Sequence, residues 1–469
     1  MWYKKYWVWA FVVITILTLA LYYGYKERQR MIEQKDWHGW SVATMMASYS
    51  NIPFEDAARS ELSTYIQLLY IPSRPDRQSY FATNDGKQLV TMDYADNWWS
   101  LRFEPLLGAA YYGPVPDRMH LVYLNERDMG IYKLDVELPK EKIMEIRNNK
   151  GRGITDLHPD PDYRRDDWGK LVIAFVGDDY ITLYLGSTRQ NLKEVASWQA
   201  TKVADRLTHE EVVELYQLDD PVRIEESVNR EGHVEPKIKK FFPKLWKQYQ
   251  AGEWRMDAEH FKMMQTRFPW NLEVVDPTGD WLGEYEITYM NLEHYATLSD
   301  RLEQHKKELK PIPLKIRTWV FDKPLQKKYY VEIYTIPTPK WAAFRHSFPT
   351  YVGDPNATYL YKRFEYFYPN RSLKTNDIPA KPEEFATLKI ILDNNGKMSE
   401  IYLEKNGIKL PLEGAYHYYL AEVDPDHGGY YPYDEDFEYF LTEPKMKDLS
   451  DPERSREEVW FPRENYLEF

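Results

Sequence analysis

The sequence contains no cysteine in its 469 residues. That excludes disulfides, thiolate metal sites, a cysteine nucleophile and lipidation on cysteine, and it leaves the compartment undecided by thiol chemistry. Acidic residues outnumber basic ones, 74 to 61. The formal net charge is −13, and no basic patch dominates of the kind that neutralises phosphates, so nucleic acid is not expected as a partner. The common catalytic signatures are missing. There is no Gly-x-Ser-x-Gly elbow and no Ser-x-x-Lys in a convincing setting. There is no Gly-x-x-x-x-Gly-Lys loop, no dinucleotide fingerprint and no HExxH pair. No catalytic residue, cofactor or metal is therefore expected, and the 11 histidines read as surface or satisfied core residues.

What is present is aromatic and β-forming. Aromatic residues make up 16 %, with 39 Tyr and 16 Trp, which suits pleated sheets and, for Tyr, interfaces. With 43 % hydrophobic and 29 % charged residues the chain reads as globular. Its length allows two or three domains at roughly 100–200 residues each.

One long apolar run stands out. In "MWYKKYWVWAFVVITILTLALYYGYKERQR", residues 1–30, no charge interrupts Trp7 to Tyr23. Trp7, Trp9, Phe11, Ile14, Leu17, Leu21 and Tyr23 form a segment that can just cross a bilayer of about 30 Å, with aromatic flanks at the headgroups. A retained signal anchor is expected. The competing readings are a cleaved signal peptide, against which Thr18 and Ala20 give a poor cleavage match, and a soluble core helix. Lys4 and Lys5 on one side and Lys26, Arg28 and Arg30 on the other leave orientation undecided by charge. A short N-terminal segment before a large body is the usual anchor of an exported domain, so a single-pass inner-membrane protein with a periplasmic body is expected.

Beyond the anchor, "FEDAARSELSTYIQLLY", Phe54 to Tyr70, has helical spacing of apolar residues. Strand signals follow in "YFAT", "KQLVTMDY", "HLVYL" and "IYKLDVELP". In the last, Ile131, Lys133, Asp135 and Glu137 face one way and Tyr132, Leu134, Val136 and Leu138 the other. "LVIAFVGDDYITLYLG", Leu171 to Gly186, reads as a hairpin turning at Asp178-Asp179, and "EVASWQATKV" as a further strand. Thr208 and Glu211 form a capping box, residues 219–240 read as a charged linker, and a helix capped by Asp257 follows. The second half repeats this order. "WNLEVVDP" at Trp270 answers "WSVATMMA" at Trp40. "LKIRTWVF" answers "HLVYL", "KYYVEIYTIP" answers "IYKLDVELP", "LKIILDNNGKMSEIYL" answers the hairpin, and "GAYHYYLAEV" answers "EVASWQATKV". A tandem duplication of one β-rich module is expected: a mainly β, α+β fold with a single N-terminal transmembrane helix, then two similar antiparallel sandwich-like modules. The expected boundaries are 1–30 anchor, 37–205 first module, 206–267 helical linker, 268–424 second module and 425–469 extension.

On "RMHLVYLNERDMGIYKLDVELPKEKI", "LVIAFVGDDYITLYLG" and "EVASWQATKV", the first module resembles a bacterial envelope family catalogued as a domain of unknown function, number 2931. The family often carries a Pro-Gly-Gly turn where this chain has "VGDD", and many members look like lipoproteins, whereas here an apolar span would replace the lipid. The resemblance implies an envelope location and no activity. The frequent neighbourhood of this family with type VI secretion effectors implies, by analogy, an immunity or accessory role.

Two further segments invite chemistry. In "DLHPDPDYRRDD", Asp156, His158, Asp160, Asp162 and Asp167 mimic hard-ligand spacing, but Pro161 stands where a calcium loop needs Gly, and Arg164 and Arg165 add positive charge. A solvated loop is expected. The end of the chain is acidic: from Asp424 to Phe469 there are 14 acidic and 5 basic residues. Tyr430, Tyr431, Tyr433, Asp434, Asp436, Phe437 and Tyr439 could form a recognition arm for a protein partner, or the extension could pack back on its own second module. The function expected is a non-enzymatic, membrane-anchored periplasmic binding protein, with a secreted toxin as partner. The alternatives are a carbohydrate- or lipid-associated envelope module, with Trp98, Trp99 and Trp281 as conceivable platform residues, and a hydrolase with an unrecognised site.

Overall fold

The computed structural model describes residues 22, 38–46, 66–92, 110–125, 128–148, 168–177, 179–187, 191–230, 258–277, 279–297, 303, 306–322, 327–335, 355–392, 398–412, 416–422 and 439–441. The fold is mainly β, with 48 % strand against 22 % helix. The strands of the first half are β1 (His38–Met46), β2 (Ile66–Leu68), β3 (Ser79–Ala82), β4 (Gln88–Met92), β5 (Ala110–Gly113), β6 (Arg118–Asn125), β7 (Gly130–Glu137), β8 (Trp168–Gly177), β9 (Tyr180–Ser187), β10 (Leu192–Gln199) and β11 (Thr201–Ala204), with helix α1 (Lys140–Asn148) before β8. Helices α2 (His209–Tyr216), α3 (Pro221–Val228) and α4 (Ala258–Met264) follow. The second half holds β12 (Trp270–Val275), β13 (Gly279–Tyr289), β14 (His294–Thr297), β15 (Pro313–Asp322), β16 (Lys327–Tyr334), helix α5 (Pro355–Phe367), β17 (Ala386–Leu392), β18 (Met398–Lys405), β19 (Ile408–Pro411), β20 (Tyr416–Glu422) and β21 (Tyr439–Leu441).

The two halves share one connectivity. In the first, β1 lies parallel to β8, and β8, β9 and β10 continue antiparallel. In the second, β12 lies parallel to β17, and β17, β18 and β19 continue antiparallel. The other layer of each half matches too: β4-β3-β6-β7-β11 in one, β14-β13-β15-β16-β20 in the other. The register agrees. Val42 pairs with Leu171 and Leu272 with Leu388, each two residues past its Trp. The Trp40 Nε1 donates to Gly113 O at 3.2 Å, and the Trp270 Nε1 to Lys310 O at 3.3 Å and Pro311 O at 3.1 Å. Those acceptors open "GPVP" (113–116) and "KPIP" (310–313), whose Val115 and Ile312 are fully buried.

Each half encloses its own core between two sheets. Trp40, Val42, Leu171, Ile173, Leu183 and Leu185 meet Phe81, Met119, Leu121 and Tyr123 in the first. Trp270, Leu272, Leu388 and Leu403 meet Ile287, Ile316 and Ile333 in the second, sealed by Leu360 and Phe364 of α5. A single Cα pair, Leu192↔His294, joins β10 to β14 and so merges one sheet of each half into an 11-stranded sheet.

Three expectations are corrected. Pairing is not wholly antiparallel: β1 lies parallel to β8 and β12 to β17, because the chain between them runs through the opposite sheet and crosses back after α1 or α5. Ile66–Leu68, the end of the helix expected over Phe54 to Tyr70, is strand β2, whose Ile66 and Leu68 are buried and whose Gln67 is half-buried. Apolar spacing there satisfied both periods, and the free edge of β6 supplied backbone partners. Residues 51–65 lie outside the described ones. Part of the charged linker is helix α3, capped by Asp220. Together with α2, which carries the expected Thr208–Glu211 capping box, it buries Leu207, Val212 and Val228 against Val122, Leu124 and Ile131 on the outer face of the β6–β7 sheet.

Candidate functional site

Among the described residues, α2 and α3 cover only part of the outer face of that sheet. Along β6, Met119, Leu121 and Tyr123 point into the core, so Arg118, His120, Val122 and Leu124 point outward. Val122 and Leu124 lie in the cluster with α2 and α3. Arg118 and His120 form a polar row with their cross-strand neighbours, since Tyr80 and Asp135 sit directly opposite His120. The Tyr80 ring stacks on the imidazole at 4.8 Å and 10°. The His120 Nδ1 is 3.1 Å from Asp135 Oδ2 without hydrogen-bond alignment, and its Nε2 has no hydrogen-bond partner. The Arg118 Nε donates to Asp135 Oδ1 at 2.5 Å, and the Arg118 side chain is 51 % exposed.

Burial pushes the His120 pKa below its ordinary value, and the Asp135 carboxylate offsets that only in part. Burial pushes the Asp135 carboxyl up, but Arg118 and then His120 outweigh it and hold it below the usual range. A His–Asp pair can orient a general base, yet among the described residues no hydroxyl donates to His120. The row offers instead the half-exposed Arg118 guanidinium and the partly exposed Asp135 carboxylate, with the Tyr80 ring stacked over a buried His120.

The second half carries charge in the same place. On β13, β15 and β16, Glu286, Arg317 and Glu332 stand opposite one another as Tyr80, His120 and Asp135 do. The Arg317 Nη1 is 3.4 Å from Glu286 Oε1. The His294 Nε2 lies 2.5 Å from the same oxygen, and its Nδ1 is 2.8 Å from Thr288 Oγ1. Burial alone would raise the Glu286 pKa, but Arg317, His294 and Lys315 together hold it far below the carboxylate range. Thr288 and His294 are a directly paired cross-strand couple, so this hydroxyl–imidazole–carboxylate chain arises from ordinary sheet register.

The residues singled out in the sequence fall unevenly. Of the extension, Tyr439 lies in β21, which pairs with β20 through Tyr418↔Tyr439, His417↔Phe440 and Tyr416↔Leu441. That stretch packs back on the second half. Tyr430, Tyr431, Tyr433, Asp434, Asp436 and Phe437 lie outside the described residues, as do the anchor residues Trp7 to Leu21 and Tyr23, the loop from Asp156 to Asp167, and Trp98 and Trp99. Among the described residues no helix is long and apolar enough to cross a membrane, and no three His, Asp or Glu side chains gather to hold a metal ion. Trp281 is in β13, paired with Val320. Asp179 sits in the β8–β9 turn, closed by Gly177↔Tyr180, with φ 58°. It also accepts from the Tyr123 hydroxyl at 3.0 Å and Asn125 Nδ2 at 3.2 Å, and burial raises its pKa, so it ties the turn to the opposite sheet.

Sequence reasoning missed the Tyr80–His120–Asp135 row. The alternation of β7 put Asp135 on the polar face, but only the pairing of β3, β6 and β7 aligns the three. No family model, no curated protein and no solved structure matches the chain.

Proposed function

We propose that the chain is a non-enzymatic, membrane-anchored periplasmic binding protein built from two copies of one β-sandwich module. Its partner is another protein, with a secreted type VI effector as the first candidate. The shared connectivity and register, down to the paired Trp anchors, support duplication. The observation that carries binding is the row of Tyr80, His120, Asp135 and Arg118 on a rigid outer sheet face. Tyr and Arg dominate interface energetics, and an exposed guanidinium beside a fixed carboxylate selects partners by charge. The envelope location rests on the apolar run Trp7 to Tyr23 and on the resemblance to the envelope family.

The test is co-expression with the product of each adjacent gene, directed to the periplasm, scoring growth and co-purification. One toxic neighbour should be both neutralised and bound, and Arg118→Glu should weaken binding at least tenfold while leaving the circular dichroism unchanged. If no neighbour is toxic or bound, the immunity reading fails and a glycan and lipid screen is the next assay. The Thr288–His294–Glu286 chain favours a second reading, a hydrolase. Ester or amide turnover by the wild type that His294→Ala abolishes would establish it.

A further inference from the structure

The duplicated modules differ at one turn. Between Ala82 and Gln88 in the first, and between Thr288 and His294 in the second, five residues link paired strands in the same way. The Thr83 N donates to Lys87 O and the Gly86 N to Thr83 O. Likewise the Tyr289 N donates to Glu293 O and the Leu292 N to Tyr289 O. Gly86 and Leu292 hold the same place with φ 83° and 71°. Gly suits this left-handed backbone, and Leu is disfavoured in it. The first turn is exposed from Asn84 to Gln88, whereas Tyr289 to Glu293 is buried throughout.

Tyr289 and Met290 are buried in the core of their own module, whereas Asn291 to Glu293 are buried against the other. Leu292 joins Ala43, Val172, Ala174, Tyr184 and Leu192 on the outer face of the β1-β8-β9-β10 sheet, beside Phe261 of α4. The Tyr184 hydroxyl donates to Asn291 O at 2.6 Å, and Asn291 Nδ2 donates to Glu194 Oε2 at 3.0 Å. The Glu194 N donates to Glu293 Oε1 at 2.8 Å, and Arg267 Nη2 donates to the same oxygen at 2.8 Å. Among the described residues the second module shows no matching acceptor face. The row Ala43, Val172, Tyr184, Glu194 across four strands corresponds to Glu273, Lys389, Tyr402, Pro411. There Lys389 pairs with Glu273 at 3.1 Å, and Pro411 lacks the N–H that Glu194 gives to Glu293.

We propose that the tip of this turn, Asn291–Glu293, is a plug that couples the two modules into one cooperative unit, with Leu292 as its apolar anchor and Glu194, Glu293 and Arg267 as its polar seal. The backbone strain at Leu292 is accepted because it aims an apolar side chain into the neighbouring module. A lone Cα pair between β10 and β14 does not by itself make a joint, and the plug supplies the rest.

The test is hydrogen exchange and urea unfolding on the full-length chain. Leu292→Asp should raise exchange in β10 and α4 at least tenfold and split unfolding into two transitions. Gly86→Leu, which puts the same side chain on the free turn, should leave β10 and α4 protection unchanged. Protection in Leu292→Asp within twofold of wild type, with a single transition, would overturn the proposal. If that variant does not fold, Leu292→Gly, which suits the positive φ, is read by the same two criteria.

Discussion

Lys310 shows how one buried side chain can organise a corner. It is fully buried, its Nζ donates to Trp270 O at 2.8 Å and Glu308 O at 3.0 Å, and its own carbonyl receives the Trp270 ring N–H. Burial pushes its amine down to about 7. The unfolded chain therefore binds one more proton between about pH 7 and 10.4, so this residue's contribution to stability is least below pH 7 and grows as pH rises through that window. Lys310→Met should flatten the rise of urea-unfolding free energy between pH 7 and 10 by about 1 kcal/mol per pH unit. The tryptophan anchors make a second residue-level test. Trp40→Phe and Trp270→Phe should each cost about 1–3 kcal/mol in chemical denaturation, because buried carbonyls lose their donor.

Among elements, the two copies of the hairpin strand carry different amounts of apolar surface for a physical reason. "LVIAFVG" in β8 is apolar on both faces, whereas burial alternates along β17 and Lys389 stands on its wetter face. A strand covered on both sides reads as a continuous apolar run, and one with a wet face alternates. The contrast of Val172 with Lys389 is visible in the sequence, and it marks β8 as the covered copy. Val172 is 4 % exposed and Lys389 pairs with a partly exposed glutamate. Val172→Lys should cost more than about 3 kcal/mol by burying an unpaired charge, whereas Lys389→Val should stay within about 0.5 kcal/mol; paired urea titrations measure both. The capping box of α2 was equally readable, because Thr208 and Glu211 are three apart in sequence. That Glu211 also receives Arg74 at 3.0 Å and Arg77 at 2.7 Å was not, since those partners lie more than 130 positions away.

For the whole molecule the decisive region is the joint between modules. Burial pushes the Glu194 carboxyl up and the neighbouring Glu293 adds to this, with Arg267 opposing. Burial also acts to raise Glu293, but Arg267 outweighs it and keeps that carboxyl low. With a folded pKa above its unfolded value, Glu194 contributes stability that is full at acid pH and lost as pH rises through the folded value. Glu194→Gln should therefore protect β10 amides better than wild type at pH 8, with the difference vanishing near pH 4. Hydrogen exchange at the two pH values checks this. The row of Tyr80, His120 and Asp135 belongs to this scale as well, because β3 must pair with the later β6–β7 hairpin before it exists.

The amino-acid sequence by itself determined the β-rich class, the repeated strand order as far as β9 and β18, the hairpin turn at Asp179 and the capping of α2. Each depends on period, turn chemistry or spacing within a few residues. "EVASWQATKV", read as one strand, divides between β10 and β11 in two sheets, and only β11 answers β20. Only the tertiary structure decided that each half contains a parallel pair, that Ile66–Leu68 is a strand, that Tyr439–Leu441 packs back beside β20, and that a glutamate pair lies buried between the modules. Those outcomes turn on which edge or face a segment finds unoccupied. That depends on contacts between residues far apart in the chain, which local pattern does not encode.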